Sequence, residues 1–387
     1  MDNKITTDMK SFYLSAIILA AVTIGCTKSS IVESSASYDE TIEFDSYAGR
    51  IPVTKASNTT IEVLKETGFQ AIAYNSGDYV ETYLNETVTY DTEMNKWSYG
   101  DKKIYWPEGS TLDFVAYGTN AMDLISNFSE ASFVYSVPNN VSEQKDLVVA
   151  APWLNHNNKT EAGNVVRFDF KHVLSKIGFN VITNNDASNE VDVTIKNIRL
   201  RANLYNKGTV YLLAETPKVV PDPNSVITSY SLFDHNYPAY DEEELNEDGE
   251  LKGFICRNST TSVPIYQNIT FDPENYEEVS VPTTENTEAL NNRFMMILPA
   301  ATIGTVQDTD DINHNNDRNE NVKPYVEVVY QLTGGREETV RAFLEDYGVT
   351  GFAAGKWYEF TLRVSTTSVK FDVKITQGWG EPVEPLE

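Results

Sequence analysis

The 387-residue sequence predicts an all-β protein made of two β-sandwiches in tandem. Aromatic residues make up 11% of the chain and are led by 22 Tyr, and Tyr, Val, Ile and Thr suit the pleated surface of a sheet. Short segments with apolar and polar residues in alternation also follow one another between Gly, Pro and Asn turns, which is typical of sandwiches. The length allows one large or two ordinary domains.

The clearest strand pattern is Val369–Ile375, where apolar residues alternate with Lys and Asp. Gly334 and Gly335 lie between two strand patterns and predict a tight hairpin, because such turns need positive φ. Asn120–Phe128 is predicted to be a short helix. The polar segment Thr183–Glu190 is either a hinge or a hairpin loop. As a hinge it divides the chain into domains 51–185 and 186–387.

Residues 1–26 resemble a lipoprotein signal peptide. Lys10 precedes an apolar run, Phe12–Ile24, which is too short to span a bilayer and fits an export signal. Thr23-Ile24-Gly25-Cys26 is similar to a bacterial lipobox, so we expect an acyl chain such as palmitate on Cys26. The alternative is an ordinary cleaved signal beside a cysteine. The polar residues that follow Cys26 suit a flexible tether, and we assign 27–50 to the tether and the first strand.

Charge and motif content exclude several classes of function. The net charge of −27 repels phosphate backbones, so no nucleic-acid partner is expected. The sequence contains no HExxH, CxxC or GxSxG motif, and its four His have no metal-ligand spacing. With 57 acidic residues, chance carboxylate pairs are certain and indicate nothing about catalysis. We therefore predict no catalytic residue, no cofactor and no enzyme.

One segment has a weak likeness to a calcium loop. Asp311, Asn313, Asn315 and Asp317 place oxygen ligands at alternate positions, as calcium-binding loops do. The segment has neither a central Gly nor a clear bidentate Glu at the twelfth position. An ordinary hydrophilic loop is the alternative interpretation.

Three groups of residues together resemble the fimbrillin family, the subunits of lipoprotein-derived (type V) pili. They are the lipobox followed by Thr41–Phe44 and Thr54-Lys55-Ala56, the central run Val166–Phe179, and the run Phe352–Leu362 that leads to Val369–Ile375 and Trp379. Each group alone is mainly a strand pattern. Their order and spacing along most of the chain carry the resemblance.

The resemblance implies two transthyretin-like sandwiches and assembly by strand exchange. A lipid-anchored precursor reaches the outer membrane, a trypsin-like protease removes the first strand, and a strand of a neighbouring subunit replaces it. Carried over here, Thr41, Ile42, Glu43 and Phe44 would lie in the removable strand. Arg50 is the expected cleavage site, because it lies in a polar segment that a protease could reach. Lys55 is the alternative site, and a surface arginine that nothing cleaves is the other interpretation.

We therefore predict an adhesive pilus subunit that assembles with other subunits into a fimbrium on the cell surface, with a receptor on a host or bacterial surface. The tail beyond the last strand contains Pro382 and Pro385, which cannot donate to a strand ladder, so a tip or accessory role fits better than the main stalk. A monomeric lipoprotein that binds glycans through exposed Tyr and Trp is the alternative. A β-sandwich hydrolase would need an acid pair in a cleft.

Overall fold

The computed structural model of the protein describes residues 41–47, 61–157, 165–183, 192–216, 218–232, 254–257, 262–265, 294–307, 321–332, 335–365 and 369–377. These residues form β-strands with one α-helix and three 3₁₀-helices, which confirms the all-β prediction. Within these ranges, no helix has the length and apolar character that crossing a bilayer would require.

The strands are numbered in chain order. The first twelve are β1 (Glu43–Tyr47), β2 (Phe69–Asn75), β3 (Thr82–Asp91), β4 (Lys96–Ser98), β5 (Leu112–Gly118), β6 (Ile125–Ser129), β7 (Ser132–Ser136), β8 (Val148–Ala150), β9 (Trp153–His156), β10 (Val165–His172), β11 (Ser175–Thr183) and β12 (Asp192–Tyr205). The others are β13 (Lys207–Tyr211), β14 (Lys218–Pro221), β15 (Val226–Ser231), β16 (Phe254–Arg257), β17 (Val263–Pro264), β18 (Phe294–Ile297), β19 (Val306–Gln307), β20 (Asn321–Val322), β21 (Tyr325–Leu332), β22 (Glu337–Phe343), β23 (Lys356–Val364) and β24 (Val369–Gln377).

The helices are short. Helix α1 spans Ile61–Thr67, and the 3₁₀-helices span Thr119–Leu124, Val141–Glu143 and Leu344–Tyr347. Helix α1 ends at Gly68, whose φ of +80° favours glycine and whose N–H donates to the Leu64 carbonyl at 2.7 Å.

The strands before β10 belong mostly to one eight-stranded sheet, which we call the N-terminal sheet. Its order is β1-β10-β8-β5-β2-β3-β4, and β9 pairs with β5. Strand β1 runs parallel to β10, whereas the other neighbours in this sheet are antiparallel. Strand β1 also lies close to β4, so the two ends of the strand order approach each other. The sheet is therefore strongly curved.

The remaining strands form three larger sheets and one small one. A four-stranded sheet has the order β14-β13-β7-β6. One five-stranded sheet, the terminal sheet, has the order β17-β11-β23-β24 with β18 beside β11. The second five-stranded sheet has the order β15-β12-β21-β22 with β16 beside β12. Strands β19 and β20 form a separate pair.

Two of these sheets contain strands from both sides of residue 185, the predicted domain boundary. Strand β7 pairs with β13, and β11 pairs in parallel with β23. Hydrogen bonding therefore links the two halves of the sequence. The division into transthyretin-like sandwiches at this boundary stays a prediction.

The N-terminal sheet is buried on both faces. On one face, Ile72 and Val115 join an extended core that includes Phe133 and Tyr135 of β7. On the other face, Phe69 and Phe114 are fully buried among further aromatic rings. Because successive residues of a strand point to opposite faces, the near-continuous apolar runs of β2 and β5 match this double burial.

The chain divides into two compact units. The small unit contains, among the described residues, 41–42 and 103–106, and the large unit contains all the strands named above. Within the small unit, Thr41 and Tyr105 form an isolated antiparallel bridge. The Ile42 N–H donates to the Ile104 carbonyl at 2.8 Å.

Two helical segments differ from the sequence prediction. The predicted helix Asn120–Phe128 is a 3₁₀-helix only as far as Leu124, and its second half is strand β6. The prediction was wrong there because Ile125 and Ser126 pair with β7. Helix α1 was not predicted, because its seven residues bury one side chain, Leu64, and give little helical periodicity.

Candidate functional site

Strand β1 presents two kinds of side chain. Its sequence, Glu-Phe-Asp-Ser-Tyr, alternates so that Glu43 and Asp45 are exposed while Phe44 is 6% exposed. Alternation of this kind is expected for a strand with one buried face. Phe44 is therefore the residue by which β1 is held in the large unit.

Phe44 lies within an aromatic cluster formed by Phe44, Phe69, Tyr99, Phe114 and Phe168. Its ring stacks on Phe168 with the centroids 5.8 Å apart and meets Tyr99 edge-on at 5.6 Å. Burial of a phenylalanine side chain contributes about 1.5–3 kcal/mol, and favourable ring geometry adds about 0.5–1.5 kcal/mol per pair. The aromatic cluster is thus the main apolar contribution of β1.

The backbone of β1 pairs with the first half of β10, from Glu43 opposite Val165 to Tyr47 opposite Asp169. On its other side, β10 pairs with β8 from Phe170 onward. Among the described residues, the stretch 165–169 therefore has β1 as its ladder partner. The exposed ion pair of Asp45 with Arg167 at 3.5 Å adds little, because water screens both charges.

Ser46 is a poor fit at the second inward position of β1. Its Oγ is buried and has no hydrogen-bond partner among the described residues. A buried hydroxyl without a partner costs about 1–3 kcal/mol. Strand β1 is therefore held by one aromatic side chain and weakened by one polar side chain.

Without β1, the N-terminal sheet would have an open groove. Phe69, Phe114 and Phe168 would lose the ring that now packs on them, and residues 165–169 of β10 would lose their ladder partner. An edge with unpaired backbone groups beside an apolar surface is a template for another strand. The arrangement can therefore support strand exchange, and it contains no group suited to bond-making chemistry.

The last described strand, β24, is an edge strand of the terminal sheet. It pairs antiparallel with β23 along its whole length, from Val369 opposite Val364 to Gln377 opposite Lys356. Its Phe371 is 7% exposed, whereas Ile375 is 44% exposed. Residues 369–375 thus form the predicted alternating strand, and its inner face becomes less covered toward the C-terminus.

Several predicted site residues lie outside the described residues: Cys26, Arg50, Lys55, Asp311, Asn313, Asn315 and Asp317. Of the predicted removable strand, Thr41 and Ile42 lie in the small unit and Glu43 and Phe44 begin β1. Within the described part of the chain, no group of three His, Cys, Asp or Glu side chains is placed to hold a metal ion.

The sequence reasoning missed the partners of Phe44. Tyr99 follows a short strand and Phe114 lies within an apolar run, and neither position carries a motif. The signal that the sequence offers is the Phe-x-Phe pattern of Phe168 and Phe170, which is typical of a strand with one buried face. It could not indicate which strand would cover that face.

The fold and this site define an all-β protein in which one strand fills an apolar groove beside the edge of β10. The sequence profile described as Fimbrillin-like matches residues 54–379. The chain therefore belongs to the fimbrillin-like family, whose members are fimbrial and cell-adhesion proteins that assemble with other pilus subunits. The resemblance inferred from the sequence is confirmed.

Solved structures provide further comparisons. A fimbrial protein from Bacteroides vulgatus is 16% identical, with a TM-score of 0.53 over 88% of this chain and 99% of that one. A proposed cell adhesion protein from Bacteroides uniformis is 15% identical, with a TM-score of 0.48 over 87% and 99%. The tip fimbrial protein Mfa3 from Porphyromonas gingivalis is 10% identical, with a TM-score of 0.33 over 80% and 94%.

The first of these similarities shows a shared fold. No match was found among curated protein sequences.

Proposed function

We propose that this protein is an accessory or tip subunit of a fimbrium, exported as a lipoprotein and activated by proteolytic removal of β1. A strand of another subunit then occupies the groove that β1 leaves. The observation that carries the proposal is the position of Phe44, buried in the aromatic cluster on a strand with a single ladder partner among the described residues.

The physical drive for assembly is the surface that β1 covers. Removal of β1 would expose Phe69, Phe114 and Phe168 and leave half of β10 without a ladder partner. A replacement strand would restore both the apolar packing and the ladder hydrogen bonds. Ser46 lies opposite Phe168, and an apolar residue at that position of the new strand would avoid a buried hydroxyl without a partner. The exchanged strand would therefore bind more tightly than the original one.

Whether this subunit can donate a strand to its neighbour determines its position in the filament. Strand β24 already pairs along its full length with β23, so its donation would break a complete ladder. The tail that follows it contains Pro382 and Pro385, which cannot donate to a ladder. Both features favour a subunit that accepts a strand without passing one on, such as a tip or accessory subunit.

The export steps rest on the signal sequence. Acylation of Cys26 would attach the precursor to the outer membrane, and the polar segment after it would give a trypsin-like protease access to Arg50 or Lys55. Adhesion to a host or bacterial surface receptor would follow from display on the fimbrium.

The test of activation uses the native cell with Arg50→Ala, Lys55→Ala and the double substitution. Intact-mass and N-terminal analysis of surface-sheared material should find the wild-type chain beginning at Ile51 or Ala56 and incorporated in polymers. The double substitution should leave the chain cell-bound and monomeric. Arg336→Ala, at an exposed arginine in the β21–β22 hairpin, is the matched control and should behave as wild type.

Polymers that still carry the residues of β1 would contradict the proposal, as would a processed chain that stays monomeric beside its partner subunits.

Cys26→Ala tests the anchor separately. It should release the unprocessed chain from the outer-membrane fraction and remove the acyl mass. A chain that differs from the wild type only by the mass of the substituted side chain and keeps its location would exclude lipidation at Cys26.

A further inference from the structure

A pocket of about 400 Å³ opens on the N-terminal sheet, on the face opposite to the aromatic cluster. Its floor includes Gln70 and Ile72 of β2, which alternate with Phe69 and Ala71 on the other face. Its wall comes from the 3₁₀-helix Thr119–Leu124 and strand β6. The volume falls in the range of pockets for small ligands or for one or two units of a larger one.

The pocket lining carries no charge. Its nine residues are amides, hydroxyls, aromatic rings and apolar side chains, in a protein with 57 acidic and 30 basic residues. Burial raises the pKa of the Tyr117 phenol, which stays protonated at neutral pH. An uncharged lining offers no compensation for the desolvation of an ionic ligand, so it selects a neutral one.

An aromatic ring is held at the pocket wall in a fixed orientation. Phe128 is 39% exposed, and its ring stacks on Phe133 at 6.0 Å and lies against Tyr117 at 6.2 Å. The preceding residue, Asn127, has a φ of +50° within a bulge where β6 loses register with β7. Backbone and neighbouring rings together keep a large apolar face partly open to solvent.

Polar groups on the floor are arranged in a chain of hydrogen bonds. The Thr87 hydroxyl donates to Gln70 Oε1 at 2.9 Å, and Gln70 Nε2 donates to Asn85 Oδ1 at 2.5 Å. With its oxygen already accepting, the exposed Asn85 amide has its N–H groups left to donate, and they have no acceptor among the described residues. The pocket thus combines an oriented donor with an apolar ring face.

We propose that this pocket binds a neutral sugar residue of a cell-surface glycan. A sugar ring has an apolar C–H face for Phe128 and equatorial hydroxyls for the Asn85 and Gln70 amides, which is the combination that the pocket offers. A peptide added to the edge of β6 is disfavoured, because the bulge at Asn127 interrupts the ladder that such a peptide would need. The inference does not depend on strand exchange, because the pocket and the aromatic cluster around Phe44 lie on opposite faces of the sheet.

The test uses the full-length protein in detergent and a panel of methyl glycosides of glucose, galactose, mannose and N-acetylglucosamine, with glucuronic acid as the charged comparison. Saturation-transfer NMR and calorimetry measure binding. At least one neutral glycoside should bind with a dissociation constant on the order of millimolar, as expected for one sugar unit. Glucuronic acid should bind more weakly than the neutral glycoside.

Two substitutions place the binding in the pocket. Phe128→Ala should weaken it about tenfold through loss of the ring face, and Asn85→Ala about fivefold through loss of the donor. Tyr211→Ala removes an aromatic side chain of similar exposure outside the pocket and is the matched control. Circular dichroism spectra of all three variants should superimpose on the wild type.

The proposal is overturned if none of the neutral glycosides binds at concentrations up to about tenfold above the millimolar range. It is also overturned if binding persists unchanged in Phe128→Ala, or if Tyr211→Ala reduces it equally. Preferred binding of glucuronic acid would contradict the neutral character of the site.

Discussion

Strands β1 and β24 each hold a phenylalanine in the protein, but they are secured in different ways. Phe44 of β1 is 6% exposed and Phe371 of β24 is 7% exposed. Strand β24 pairs antiparallel with β23 at nine positions and carries apolar residues at four inward positions, which are Val369, Phe371, Val373 and Ile375. Strand β1 pairs in parallel at five positions and has Ser46 at its second inward position.

The difference separates a strand that belongs to its sheet from one that occupies a groove. Strand β24 is the second arm of a hairpin, so its backbone bonds and side chains support one another locally. The attachment of β1 depends on one ring, because its ladder is short and the buried Ser46 hydroxyl finds no hydrogen-bond partner in the part of the chain that the structure describes. The two strands should therefore respond differently to processing and to single substitutions.

The largest effect is expected from Phe44→Ala. Loss of the buried ring should lower the free energy of unfolding of the precursor by about 3–5 kcal/mol. Phe371→Ala should cost a similar amount. A chain that begins at Ile51 lacks Phe44, so only the loss of stability caused by Phe371→Ala can be measured in it. Urea denaturation is the measurement, applied to the wild-type precursor, its Phe44→Ala and Phe371→Ala variants, and the chain from Ile51 with and without Phe371→Ala. A loss below about 1 kcal/mol for Phe44→Ala in the precursor would contradict the assigned role of its ring.

Acid should weaken the N-terminal sheet at Asp113 of β5. Burial pushes the pKa of Asp113 in β5 upward, but hydrogen bonds from the Asn155 N–H, the Ser76 hydroxyl and the Tyr79 hydroxyl outweigh it, and the pKa is lowered from its usual 3.8. A lowered pKa stabilises the fold above about pH 4, and this contribution is lost as the pH falls through the folded-state pKa.

Asp113→Asn should therefore cost about 1.5–3 kcal/mol at pH 7 and flatten the loss of stability below pH 4. Asp372→Asn removes an exposed carboxylate of β24 that pairs with Arg363 in solvent, and as the control it should cost less than about 1 kcal/mol at pH 7. Thermal unfolding between pH 2 and pH 7 measures both. A profile of Asp113→Asn that falls as steeply as that of the wild type would exclude the stated cause.

A smaller effect, of opposite sign, is expected from Ser46→Val. An apolar side chain at this buried position should stabilise the precursor by about 1 kcal/mol and slow the release of β1 after cleavage. Ser132→Val in β7 is the matched control, because the Ser132 hydroxyl donates to the Ser129 carbonyl at 2.8 Å and its loss should not stabilise. Equal shifts in both variants would mean that Ser46 is not a weak point.

The smallest effect is expected from Asp45→Asn, which breaks the ion pair with Arg167. Both side chains are more than half exposed, so the change should stay within about 0.5 kcal/mol. A larger loss in the same urea experiment would show that β1 is held by charge as well as by Phe44.

Local pattern was enough to predict much of the fold. Val369–Ile375 lies within β24 because its alternation reports one buried face directly. Phe168 and Phe170 alternate with charged residues in the same way, and both are buried in β10. These features depend on residues that are close in the sequence, and so they can be predicted from the sequence alone.

Pairing between strands that are distant in the sequence could not be predicted in this way. Nothing in the sequence indicated that β7 would pair with β13, or that β1 would lie parallel to β10. Such partners are selected by packing across the whole sheet, as with the aromatic cluster around Phe44. The pocket beside Phe128 could not be predicted for the same reason. The sequence predicts a helix for this segment, whereas pairing with β7 makes its second half strand β6.

The parallel pairing of β1 with β10 also has a consequence for the order of folding. Val165 lies far downstream of Glu43 in the sequence, so β1 must wait until the rest of its sheet has been synthesised and has formed. We expect β1 to dock late, onto a groove that already exists. Newly made protein would then pass through a conformation close to that of the processed subunit, and a chaperone or the speed of docking would protect it from premature association.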